Sequence, residues 1–128
     1  IIYFNFRFLT TFSPAAGFLS SNIVRYDVLG VYALPLGAKI ALNAKTAPHG
    51  VITLGCIIQG ETRHFDFIAQ AVADGIMRLN LDSGKPVIFG VLTPNTDQQA
   101  ADRAGGKYGN KGEEAAVALL EMVDLGKR

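Results

Sequence analysis

Hydrophobic residues in this chain fall into short unbroken blocks separated by glycine and polar turns. Three blocks stand out: Ile1 to Phe4, Val51 to Ile58 and Val87 to Thr93, with a weaker one from Ile23 to Leu29. Unbroken rather than alternating blocks predict strands buried on both faces, the signature of a parallel sheet. Between them the period changes. Phe65, Ile68, Ala69, Val72, Ile76 and Leu79 recur at three-to-four spacing, as do Ala116, Leu119, Leu120 and Val123, and this predicts two amphipathic helices. Leu34 to Ala44 is apolar and alanine-rich, with Pro35 where a first helical turn tolerates it. Strands alternating with helices predict an α/β sandwich. With no repeat, low-complexity tract or linker, residues 1–128 are expected to form a single domain. Phe6, Phe8, Phe12 and Phe18 crowd the first third of the chain. They suit either the core or a subunit interface.

Composition narrows the class. The 128 residues are 49% hydrophobic and 18% charged, with a formal net charge of +1. A chain of that length and composition folds around one core. The charge excess is too small to make nucleic acid or an anionic membrane a main partner, and no apolar run approaches the ~18 residues of a membrane span. The single cysteine, Cys56, lies inside an apolar block. It is expected to be a buried, unreactive thiol in a reducing compartment, which points to the cytoplasm. One cysteine and two histidines are too few for a metal site. The chain opens on Ile1-Ile2-Tyr3-Phe4, as if a strand were already under way, without a recognisable signal peptide.

The stretch from Leu54 to Phe67 carries the most chemistry. A buried strand ends, a glycine turn follows and a helix begins. Ligands in open parallel sheets bind at the carboxyl ends of strands, and the free amides of a helix start attract an anion. Gly60, Glu61 and Thr62 are placed to supply them. His64, in the first turn, can carry protons near neutral pH; alone, it reads as well as a polar surface residue. Pro86 to Thr93 is a second buried strand, in which Phe89 either walls a pocket or fills the core, the core being the simpler reading. Arg103 offers a planar fork suited to phosphate, or is a solvated arginine at a helix end. Lys111, between Asn110 and Gly112, opens the last helix.

Taken in order, these segments resemble the lumazine synthase family. Leu54 to Phe65 is similar to its L-G-x-V-I-x-G-x-T-x-H-[FY] segment, Pro86 to Thr93 to its P-V-x-F-G-[VI]-[LV]-T strand, Gln99 to Gly105 to Q-A-x-x-R-A-G, Asn110-Lys111-Gly112 to N-K-G, and Phe4-Asn5 to the F-N that closes its first strand. The likeness is close from about residue 50 to 125 and looser before that. It implies a three-layer α/β/α, flavodoxin-like fold with a four-stranded parallel sheet. It also implies a homopentamer, in some members a 60-subunit icosahedral shell, with the active site between adjacent subunits and riboflavin synthase as a candidate partner. The implied reaction is a transferase step of riboflavin biosynthesis. It condenses 5-amino-6-ribitylamino-pyrimidinedione with 3,4-dihydroxy-2-butanone 4-phosphate to 6,7-dimethyl-8-ribityllumazine, phosphate and water, without metal or cofactor. The resemblance places Phe4 against the pyrimidine ring with Asn5 beside it, the Ile57 and Ile58 backbone at the ring's polar edge, Phe89 at the pocket border and Lys111 near the ring's polar end. Gly60, Glu61, Thr62 and a neighbouring subunit's Arg103 would hold the phosphate, and His64 would move protons.

One signature departs. Where the family reads V-P-G-[AS]-[FWY]-E-[IL]-P, this chain reads Val28-Leu29-Gly30-Val31-Tyr32-Ala33-Leu34-Pro35. Tyr32 and Ala33 fall where the family contacts substrate, its glutamate holding ribityl hydroxyls. A methyl cannot accept those hydrogen bonds, and losing one charge-assisted contact costs ~1.5–3 kcal/mol. The stretch from Asn5 to Gly30 is also shorter than the family leads one to expect, and it carries Pro14. These departures sustain a second reading, an impaired or engineered relative kept as an assembly scaffold. A third, a flavin- or nucleotide-binding module, lacks the glycine-rich fingerprint. The compact turn from Gly105 to Gly112 lacks the insertion linked to isolated pentamers, which favours a shell.

Overall fold

A computed structural model describes residues 2–3 and 20–128. Four strands form one sheet: β1 (Ile2–Tyr3), β2 (Tyr26–Asp27), β3 (Val51–Cys56) and β4 (Val87–Leu92). Their order is β2-β1-β3-β4 and every pairing is parallel. The weak block from Ile23 to Leu29 forms only the short β2. It is a sheet edge with one partner, and the sequence there is broken by Arg25 and Asp27, whose side chains pair at 2.7 Å. Leu29, just beyond, is fully exposed.

The expected helices are present as α1 (Leu34–Leu42), α2 (His64–Ser83) and α4 (Lys111–Leu125). Pro35 sits in the first turn of α1, where its missing N–H has no intrahelical partner to lose. Two elements had no hydrophobic period to announce them: α3 (Asp97–Arg103) and the antiparallel hairpin of β5 (Ala104–Gly106) and β6 (Gly109–Asn110). The signal for α3 is its cap. Thr96 accepts the Gln99 N–H at 3.2 Å, and the Gln99 side chain reaches back to the Asn95 N–H at 2.8 Å, a variant of the capping box.

The sheet separates two apolar layers. On one face Val51, Val87 and Val91 pack with Leu34, Ala38 and Ala41 of α1 and with Val72 and Ile76 of α2. On the other, Ile52 and Leu54 pack with Ala115, Ala116 and Leu119 of α4. Neighbouring residues of β3 thus serve opposite layers, as the alternation of a strand requires, and each large side chain buried this way stabilises by roughly 1.5–3 kcal/mol. Thr53 is wholly buried and donates its hydroxyl to the Ile88 carbonyl at 2.8 Å, so it leaves no polar group unsatisfied. Gly90 makes room for the neighbouring strand β3. A Cβ there would stand 2.6 Å from the Leu54 side chain and 2.8 Å from the Thr53 carbonyl.

β3 is buried on both faces, and β4 packs Val87 and Val91 into one layer and Ile88 against the other, with Leu92 also buried. β4 is the other sheet edge, and its Phe89 is 40% exposed. At the start of β4, the Asn80 amide of α2 donates to the Val87 carbonyl at 2.8 Å and accepts its N–H at 2.7 Å. Lys85 adds a bond to the Pro48 carbonyl, ahead of β3. Among the described residues no helix is long and apolar enough to cross a membrane, and no cluster of His, Cys, Asp and Glu could hold a metal ion.

Candidate active site

The carboxyl end of β3 continues along β4: the Ile57 N–H donates to the Leu92 carbonyl at 2.8 Å and the Gln59 N–H to the Pro94 carbonyl at 3.0 Å. These bonds hold Ile57 and Ile58 half-buried and aim the chain at the start of α2. Gly60, Glu61, Thr62, Arg63 and His64 are all exposed. Around Gly60 there is open space, with nothing within 4 Å of where a Cβ would stand. The Thr62 hydroxyl accepts the His64 N–H at 3.4 Å. Arg63, at the N-cap position of α2, provides no side-chain cap. Its guanidinium lies along the helix instead, 3.8 Å from Asp66 and 5.4 Å from the Phe67 ring centroid. A helix start open at its N-cap leaves amides and the positive end of the dipole available to an anion.

Upstream, Tyr32 and Ala33 lie in a 3-10 turn, Val31–Ala33, that runs directly into α1. Tyr32 is exposed and Ala33 half-buried. Phe4 and Asn5, expected against a ring, lie outside the described residues, as do Phe6, Phe8, Phe12, Pro14 and Phe18.

A second locus lies on the far side of β4. An open cleft of about 490 Å³ is lined by Phe89, Thr93, Gln99, Arg103, Lys111 and Glu114, among others. Phe89 is therefore not a core side chain; it is 40% exposed and borders the cleft. Arg103 is half-buried rather than solvated. It donates from Nη1 to the Gln99 carbonyl at 3.2 Å and packs 5.1 Å from the Tyr108 ring centroid. Lys111 is the first residue of α4, where Asn110 caps the helix by accepting the Gly112 N–H. Its ammonium pairs with Glu114 at 2.7 Å. A guanidinium and an ammonium in one cleft suit an oxygen-rich or anionic ligand.

The sequence-predicted residues of the later strands and helices thus divide into two groups, apart from Tyr32 and Ala33 upstream. Phe89, Arg103 and Lys111 share the cleft. Ile57, Ile58, Gly60, Glu61, Thr62 and His64 share the strand-end loop, and none of them lines the cleft. Cys56 is half-buried rather than fully buried. Burial, and next the nearby Asp97 carboxylate, push its thiol above the ordinary value of 9.0, which suits an unreactive side chain. Sequence reasoning passed over Tyr108 and Glu114, which hold Arg103 and Lys111. Only the three-residue spacing of Lys111 and Glu114 on one helix face gives either away.

The described residues thus form a parallel α/β domain with an exposed loop at the carboxyl end of one strand and a basic cleft beside the next. The family model for 6,7-dimethyl-8-ribityllumazine synthase matches residues 10–127, and the chain belongs to that family. It is similar to proteins named 6,7-dimethyl-8-ribityllumazine synthase from Cytophaga hutchinsonii (56% identical over 107 residues, 84% of this chain and 67% of the relative), Flavobacterium psychrophilum (49% over 109 residues, 85% and 57%) and Flavobacterium johnsoniae (48% over 104 residues, 81% and 54%). The chain spans little more than half the length of the last two.

Proposed function

We propose that this protein is a lumazine synthase of riboflavin biosynthesis. It joins 5-amino-6-ribitylamino-pyrimidinedione to 3,4-dihydroxy-2-butanone 4-phosphate and releases 6,7-dimethyl-8-ribityllumazine, phosphate and water. The observation that carries this reading is the exposed loop from Gly60 to His64 after the carboxyl end of β3, at a helix start whose N-cap residue supplies no side-chain bond and whose first turn holds a histidine. In this reading the amides of Gly60, Glu61 and Thr62 take the phosphate, with Arg103 as its counter-ion, and His64 moves protons as the imine forms and phosphate leaves. Ile57 and Ile58 offer backbone groups to the pyrimidine edge, Phe4 and Phe89 border the ring, and Asn5 and Lys111 meet its polar groups. Tyr32 and Ala33 lie toward the ribityl chain, which Ala33 cannot hold by a carboxylate. Much of the acceleration comes from holding the amine against the carbonyl, worth ~7–11 kcal/mol, and His64 adds roughly 10²–10⁴-fold.

No residue of the loop lines the cleft of the same chain, and this supports a site completed by a second copy. The reading therefore includes a single flavodoxin-like α/β/α domain, a cytoplasmic homopentamer and its assembly into a 60-subunit shell, with riboflavin synthase as a candidate partner. The test is product absorbance with both substrates, on protein of known oligomeric state. Arg103→Ala is expected to raise KM for the butanone phosphate about ten- to a hundred-fold. His64→Ala is expected to lower kcat by about 10²-fold, the low end for proton transfer. A KM unmoved by Arg103→Ala would sink the phosphate assignment.

A further inference from the structure

We propose that Tyr108 is a positioning residue that holds the Arg103 guanidinium where it can meet an anionic ligand of the cleft; this rests on the phosphate role given to Arg103 above. Arg103 is the last residue of α3, and a long side chain at a helix end samples many rotamers unless something holds it. Two contacts do so. Nη1 donates to the Gln99 carbonyl one turn back, and the guanidinium carbon stands 5.1 Å from the Tyr108 ring centroid. Packing on a ring occupies the guanidinium's face and leaves its remaining N–H edge for a ligand.

The ring is itself held in place. The Tyr108 N–H donates to the Asp102 carbonyl at 2.7 Å, which folds the β5–β6 hairpin back onto the end of α3. Gly106 permits that approach, since a Cβ there would stand 2.7 Å from the Ala101 carbonyl oxygen and 2.8 Å from Asp102 Cα. The same ring has the Lys107 ammonium 5.1 Å from its centroid. Tyr108 therefore gathers two cations, of which Arg103 lines the cleft. Both attractions act through the ring and not through its hydroxyl.

The experiment combines steady-state kinetics with titration of inorganic phosphate, on the full chain and on Tyr108→Ala, Tyr108→Phe, Arg103→Ala and the Tyr108→Ala/Arg103→Ala double variant. Tyr108→Ala is expected to raise KM for the phosphorylated substrate and Kd for phosphate about two- to five-fold, the range of a cation–π contact at an exposed position, with kcat unchanged. Tyr108→Phe should match the unaltered protein, and Tyr108→Ala should add nothing once Arg103 is gone. Tyr108→Ala leaving KM and Kd unmoved while Arg103→Ala raises them would overturn the proposal and keep the site. Equal losses from Tyr108→Ala with and without Arg103 would also overturn it, placing the effect in the hairpin. Arg103→Ala with no effect on phosphate would remove the reading of the site itself.

Discussion

Arg103 and Cys56 show how much a single side chain's surroundings decide. Alone in the sequence, an arginine at a helix end is a solvated charge. Here the Gln99 carbonyl and the Tyr108 ring hold it half-buried. Cys56 goes the other way: burial and Asp97 favour its neutral thiol. A thiol whose folded value is raised contributes stability that is fully present below its unfolded value of 9.0 and is lost as pH rises through the folded one. The denaturation midpoint is therefore expected to fall above pH 9.0 more steeply in the native sequence than in Cys56→Ala. Equal slopes would mean that the thiol's surroundings cost its anion nothing. The residue-type signals were legible (a phosphate-suited arginine, an apolar cysteine), but the partners that set their state come from other segments and from no local pattern.

At the scale of elements, hydrophobic period predicted what packing enforces. The Val51–Ile58 block became β3 because both its faces meet helices, and the 65–79 period became α2 because Val72 and Ile76 enter one layer. At one position the pattern misled. Val87 to Thr93 reads like β3, yet β4 is an edge, and Phe89 stays open to the cleft. Position in the sheet is a property of topology and leaves no mark on the strand's own residues. Short elements closed by caps and turns, such as α3 and the β5–β6 hairpin, carry polar rather than hydrophobic signals. Asn80 is the clearest polar joint between elements. Asn80→Ala would remove both its bonds to Val87 and leave the Val87 N–H and carbonyl without that partner. Its urea midpoint is expected to drop by the equivalent of about 1–3 kcal/mol, with the m-value unchanged. A loss under a few tenths would mean that water replaces the amide.

On the scale of the molecule, the described residues leave apolar side chains in the open. Leu36 and Ile40 on α1, and Phe67, Met77 and Leu81 on α2, are each more than half exposed. Exposed apolar surface of this kind marks faces that meet other protein, in keeping with the proposed assembly. The family resemblance, not the composition, supplied the expectation of a site between subunits, because a shared site has no signature within one chain's periodicity. Subunit mixing tests it. Gly60→Asp puts a carboxylate into open space in the anion loop, and Arg103→Ala empties the cleft of its guanidinium. If each site takes its loop from one subunit and its cleft from the next, co-refolding equal amounts of the two weak variants restores about one native site in four, by the statistics of a closed ring. Activity no higher than the mean of the two variants would mean that loop and cleft act within one subunit.

The Asn80 clasp and the Lys85 bond to Pro48 both sit where β3 and β4 begin, whereas the ligand loop and the cleft lie toward where those strands end. Backbone amides at the tied end are expected to exchange with deuterium only when a large cooperative unit opens, while those of residues 60–63, which donate no hydrogen bond among the described residues, are expected to exchange from the folded state. The protein is in effect built like a brush, bound at the ferrule, so changes at the strand ends need not loosen the end that keeps the sheet together.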